Sequence, residues 1–115
     1  MMKQVFFASV VVLCSYAAAF AHSESEETTP ADASRVTAVD QIEIRFDDPM
    51  RVTAVSLVGP NGDTALERQT GLDPTTEFVA TPEDALQPGN YEVEWRGLSS
   101  DGHPMEGSFS FEVVE

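Results

Sequence analysis

From Gln41 onward, hydrophobic and polar residues alternate with the two-residue period of half-buried strands, and no window sustains the period of an amphipathic helix. Ile42, Ile44 and Phe46 fall on one face with Glu43 and Arg45 on the other, and Asp47-Asp48-Pro49 is expected to end that strand. Val52 to Val58 is a β-branched run closed by Gly59-Pro60-Asn61-Gly62, whose Asn-Gly pair suits a tight turn with positive φ between antiparallel neighbours. Thr64 to Arg68 reads as a short strand, and Thr75 to Ala80, centred on Phe78 and Val79, as a second one bracketed by Pro74 and Pro82. The last third carries the clearest pattern: Tyr91, Val93 and Trp95 alternate with Glu92 and Glu94, and Phe109, Phe111 and Val113 with Ser108, Ser110 and Glu112. Short strands separated by Gly, Pro and Asp turns predict an all-β chain folded as an antiparallel sandwich.

The first third departs from this pattern. Residues 22–34 (HSESEETTPADAS) contain almost nothing apolar and describe, on pattern alone, a solvated arm that need not be ordered. Ahead of them, Lys3 precedes an apolar stretch from Val5 to Phe20 that ends in the small-x-small triplet Ala19-Phe20-Ala21. This predicts a signal peptide over 1–21, removed after Ala21, and a mature domain over 22–115. The apolar stretch is short for a bilayer span and no cationic stop follows it, so no stable membrane association is expected. Cys14 follows the bulky Leu13 and is read as part of the apolar segment, not as a lipid attachment site.

Processing changes the charge balance. The full chain carries a net charge of -14, and loss of Lys3 leaves twenty acids against five arginines. Such a domain repels itself and would be relieved by a cationic ligand; phosphate binding needs clustered cations, so nucleic acid is excluded as a partner, and so is an anionic membrane surface. With Cys14 gone no disulfide can form, and a domain this small must rely on its hydrophobic faces or on a bound metal.

Two histidines can carry chemistry. His22 becomes the first mature residue, where the α-amine and its own imidazole can chelate one ion, and nitrogen donors in a flat arrangement suit Cu(II). Against this stands the plain reading that processing merely leaves a histidine first. His103 sits in Ser99-Ser100-Asp101-Gly102-His103-Pro104, between the Trp95 and Phe109 strands. Asp101 and His103 are two residues apart and can point to one side, Gly102 permits an unusual backbone angle, and Pro104 restricts His103 to an extended conformation. The competing reading is a turn whose Asp caps its own backbone and whose His is solvated.

The segment from Tyr91 to Phe111 (YEVEWRGLSSDGHPMEGSFSF) resembles the end of CopC-type periplasmic copper-binding domains, in which Tyr-x-Val-x-Trp-Arg, Ser-x-Asp-Gly-His-Pro and Gly-x-x-x-Phe recur. Thr29-Pro30 at its spacing from His22, Phe46-Asp47-Asp48-Pro49, and Leu86, Pro88, Gly89 and Tyr91 extend the resemblance over essentially all of 22–115. It implies a seven-stranded Greek-key β-sandwich or barrel of cupredoxin-like, immunoglobulin-like kind. It also implies one Cu(II) ion held by the His22 amine and imidazole, Asp101 and the His103 imidazole. Asp48 falls where some members place a carboxylate near the metal, with a turn carboxylate before Pro49 as the equal alternative. The implied role is a periplasmic copper carrier or buffer in homeostasis or resistance, not an enzyme, with a CopD-type inner-membrane copper transporter as its recipient.

Three departures qualify the resemblance. The loop after Leu57-Val58 is the short Gly59-Pro60-Asn61-Gly62-Asp63 without methionine, so the Met-rich Cu(I) site of some members is not expected, and Met105 reads as a packing residue. Ser25-Glu26 stands where the family places apolar residues in its first strand, so the arm carrying His22 is expected to be mobile without copper and ordered with it. Glu24 replaces a histidine found in some members and is read as solvated. Two competing functions remain at this point. One is a histidine-brace copper oxygenase, disfavoured by the small size and by the additional Asp101 ligand. The other is a metal-free sandwich serving as an interaction module.

Overall fold

The computed structural model describes residues 25–115; the expected signal peptide and His22 lie outside the described residues. Eight strands and no helix form within them: β1 (Ser25–Thr29), β2 (Ser34–Val36), β3 (Ile42–Gly59), β4 (Gly62–Thr64), β5 (Leu66–Arg68), β6 (Thr75–Pro82), β7 (Gly89–Leu98) and β8 (Pro104–Val113). One layer runs β1-β3-β6-β5 and the other β2-β8-β7-β3-β4, so the two share β3. The connection from β6 to β7 passes over β3, which makes the curled sheet a Greek-key sandwich. The count exceeds the expected seven because three strands are only three residues long, and the expected 64–68 strand is broken at Ala65 between β4 and β5.

The largest difference from the sequence reading is β3. Asp47-Asp48-Pro49 does not end it; all three are exposed, and the strand continues for 18 residues. Its first part pairs with β1 and β6 and its second with β7 and β4, with the register on the β6 side shifting between Arg45 and Met50. A proline cannot donate to a ladder, and here it stands where the strand leaves one layer for the other, so the missing donor breaks no pairing. The hairpin at Gly59–Gly62 forms as expected, with the positive φ taken by Gly62.

The second difference concerns the arm. Ser25 to Thr29 pairs antiparallel with β3, from Ser25 opposite Phe46 to Thr29 opposite Glu43. Ser34 to Val36 runs parallel to β8, and Asp32 accepts a hydrogen bond from the Ser110 amide at 3.0 Å. Main-chain pairing requires no apolar side chain and so leaves no trace in hydrophobic periodicity.

Between the layers lie Ile42, Ile44, Phe46, Met50, Val52, Leu57, Phe78, Ala80, Tyr91, Val93, Trp95, Phe109, Phe111 and Val113, all buried. These are the inward positions of the alternating runs, each large side chain contributing about 1.5–3 kcal/mol on burial. Tyr91 stacks on Phe111 and donates its hydroxyl to the Gln87 carbonyl at 2.6 Å. Arg68 lies over the Phe78 ring and donates to the Val52 carbonyl at 2.6 Å, tying β5 back to β3.

Candidate metal centre

The β7–β8 hairpin is paired without interruption from Gly89 opposite Val113 to Leu98 opposite Pro104, and its five-residue tip, 99–103, carries Asp101 and His103. The tip is closed on itself. The Ser99 amide donates to the His103 carbonyl at 2.9 Å and the Gly102 amide to the Ser99 carbonyl at 2.8 Å, a turn that Gly102 permits by adopting φ +84. Side chains complete it: the Ser99 hydroxyl donates to Asp101 Oδ1 and accepts from the His103 amide at 3.1 Å.

Asp101 Oδ2 lies 2.8 Å from His103 Nδ1. One carboxylate oxygen therefore serves the turn and the other holds the imidazole, and the two sequence readings of this motif, capped turn and convergent pair, describe the same residues. With Asp101 ionised, Nδ1 carries the proton and donates it, so in the neutral ring the Nε2 lone pair is available to a metal. Both side chains are open to solvent, at 76% for His103 and 66% for Asp101, so an ion can reach them without any rearrangement of the fold.

Hydrogen bonds from Ser99, and then from His103, hold the Asp101 carboxyl down to about 2, well below the usual carboxylate range. A lowered pKa in the native state means that the folded loop binds this proton less readily than the unfolded chain. Its contribution to stability is therefore present above about pH 4 and fades as the pH falls towards 2. Carboxyl NMR titration is expected to place the Asp101 midpoint near pH 2, and Ser99→Ala to move it upward. An unchanged midpoint in that variant would remove the serine from the account. Ser99 is the residue that sequence reasoning missed as a participant; its signal was a hydroxyl two residues before an Asp in a glycine-containing turn.

Serine, aspartate and histidine occur together here, but not in the order of a hydrolytic relay. The Ser99 hydroxyl donates to the carboxylate and not to the imidazole, so no base withdraws its proton towards nucleophilic attack. The arrangement is that of a carboxylate orienting an imidazole, the form in which proteins present histidine to metal ions.

Asp48 lies exposed on β3, and among the described residues no third His, Cys, Asp or Glu gathers with Asp101 and His103 into a metal-sized cluster. The structure thus brings Asp101 and His103 together and leaves Asp48 apart from them, while His22 and Glu24 lie outside the described residues. β3 nevertheless links the relevant points: Ser25 enters the sheet opposite Phe46, and five residues further on Arg51 pairs with Leu98, the residue before the tip.

The chain matches the family model described as the CopC domain over residues 25–114. It is 31% identical over 106 residues to copper resistance protein C of Escherichia coli, covering 83% of each chain. It is 33% identical over 107 residues to copper resistance protein C of Pseudomonas syringae pv. tomato, covering 84% of each. Its fold resembles the crystal structure of PcoC, a methionine rich copper resistance protein from Escherichia coli, with a TM-score of 0.67 and 30% identity over 81% of this chain and 99% of that one.

Proposed function

The chain belongs to the CopC family, and from that premise we propose that it is an exported Cu(II)-binding protein that carries or buffers copper in the periplasm, holding one ion between its mature N-terminus and the β7–β8 tip. The observation that carries this reading is the Asp101–His103 pair, an oriented imidazole with an ionised carboxylate beside it at the end of a continuously paired hairpin. Copper is supported as the ion by the relatives, which are copper resistance proteins, and by the donor chemistry. A nitrogen-rich set with one carboxylate suits Cu(II), which also heads the affinity order of first-row divalent ions.

The remaining donors are the His22 α-amine and imidazole. Three residue steps separate His22 from Ser25, at most about 10 Å of extended chain. The stretch of β3 between Phe46 and Arg51 spans about 16 Å, so the arm together with the reach of the tip side chains is long enough to close the site. Asp101 acts in one of two ways that share this geometry. It either supplies an oxygen to copper, or it orients His103 through Nδ1 while Nε2 ligates. Asp48 is assigned to neither role.

The protein is read as a carrier and not a catalyst. The wiring of Ser99 supports this, as does a donor set that would fill the coordination plane of Cu(II). The recipient proposed from the family resemblance is a CopD-type inner-membrane copper transporter. Spectroscopic titration of the mature protein with Cu(II) tests the whole reading: one equivalent bound is expected, and the absence of saturable binding would make the domain a metal-free interaction module. Asp101→Asn is expected to weaken Cu(II) binding about 10- to 100-fold, the usual penalty for losing a group that orients or completes a metal site. Because Asp101→Asn weakens the site, protons displace its copper more readily, and its acid midpoint for release is expected to lie at higher pH than that of the wild type.

A further inference from the structure

The outer face of the β1-β3-β6-β5 layer is acidic, and one cation stands in its middle. Glu27 on β1 lies opposite Arg45 on β3, and Arg45 lies opposite Glu77 on β6, so three adjacent strands present a carboxylate, a guanidinium and a carboxylate in one row. Arg45 reaches both acids, Glu27 at 3.7 Å and Glu77 at 3.3 Å. Glu43 lines the same surface, where a shallow cavity of about 200 Å³ is bounded by Glu27, Thr29, Glu43, Ile44, Arg45 and Glu77. Like charges on neighbouring strands repel, and in a domain this acidic few counter-charges are available to replace the guanidinium.

We infer that Arg45 is a positioning residue for copper: its guanidinium staples β1, the strand that leads to the N-terminal ligands, onto β3 and β6 through Glu27 and Glu77. The strand needs such a device. Its sequence, SEETT, offers nothing apolar to the core, so its docking rests on main-chain pairing and on whatever side chains cross to the neighbouring strand. Arg45 supplies that crossing and also neutralises a repulsion that would otherwise push β1 off an acidic surface. The energy of ordering the arm is drawn from copper binding, so a weaker staple means a weaker copper site even though Arg45 touches no metal. All three side chains are more than half exposed, which makes the staple sensitive to ionic strength.

The copper part of this inference rests on the function proposed above; the staple itself does not. The test is amide hydrogen exchange across Glu27 to Thr29 in the copper-free mature protein at low salt, with Cu(II) affinity measured in parallel. Arg45→Gln is expected to speed exchange in β1 about fivefold while leaving β7 and β8 unchanged, and to weaken Cu(II) binding only by the factor by which the docked population falls, which is smaller than the change in exchange. Arg45→Lys should retain most of the protection, and the charge swap that combines Glu27→Arg with Arg45→Glu should restore it. Added salt should erase the difference between the wild type and Arg45→Gln. Equal β1 exchange in the two proteins at low salt would overturn the staple, as would a wild-type β1 with no protection at all. If exchange responds as expected but the wild type binds no Cu(II), the staple stands and the functional reading fails.

Discussion

His103→Ala is expected to abolish tight Cu(II) binding by the mature protein while leaving the fold intact. The residue is solvent-exposed at a hairpin tip, its side chain packs against no core group, and the turn is closed by backbone bonds and by Ser99, which the substitution leaves in place. Stability should therefore change by less than about 1 kcal/mol. For copper the loss is large for two reasons. The nitrogen proposed as a ligand disappears, and Asp101 loses the partner on its Oδ2, so the carboxylate is no longer fixed in its direction. What remains is the chelate of the amino-terminal histidine alone, and affinity should fall by at least 100-fold. Competition with a chromogenic Cu(II) chelator reads this directly, and a melting temperature measured on the same sample separates it from unfolding. Retention of wild-type affinity would place the metal elsewhere.

The second large effect concerns the fold that holds the tip in place. Trp95 is buried at 2% exposure, meets Phe46 edge-to-face at 5.1 Å and 78°, and lies so close to Gly107 that an added Cβ there would stand 2.7 Å from its Nε1. The indole thus fills the junction of β3, β7 and β8 next to the hairpin that ends in Asp101 and His103. Trp95→Ala is expected to destabilise the copper-free domain by about 3–5 kcal/mol through lost burial and the cavity left behind. Against a total of about 5–15 kcal/mol for a typical domain, and with no disulfide to compensate, that lowers the melting temperature on the order of 20 °C. Gly107→Ala should act in the same direction through overpacking. Thermal unfolding followed by circular dichroism checks both, and a shift of only a few degrees in Trp95→Ala would mean that the core is organised around other residues.

The parts of the fold legible in the sequence are those in which hydrophobic alternation and position coincide. Tyr91, Val93 and Trp95 and Phe109, Phe111 and Val113 are inward residues of β7 and β8, and the tip between them carries the Asp-Gly-His motif where the pattern places it. The path of β3 was not legible, because a breaker rule is local. Pro49 stops a strand inside a single ladder, whereas here it stands at the change from one layer to the other. β1 was hidden because main-chain pairing has no compositional signature. The Glu27–Arg45–Glu77 row was hidden because its members lie far apart along the chain and meet only through strand register. At the candidate site, the types and spacing of Asp101 and His103 announced a convergent pair, but the division of labour between the two carboxylate oxygens, and the part played by Ser99, depend on the closed turn and are visible only in three dimensions.

In the proposed site a newly exposed N-terminal histidine and the β7–β8 tip grip a single Cu(II) together. Electron paramagnetic resonance of the exported protein, purified as secreted and loaded with one equivalent of Cu(II), tests it most directly when intact mass is recorded on the same preparation. The expected result is a mass beginning at His22 and one copper species with three nitrogen donors, falling to two in His103→Ala. A chain that begins at another residue, a blocked α-amine, or a copper signal indifferent to His103 would contradict it.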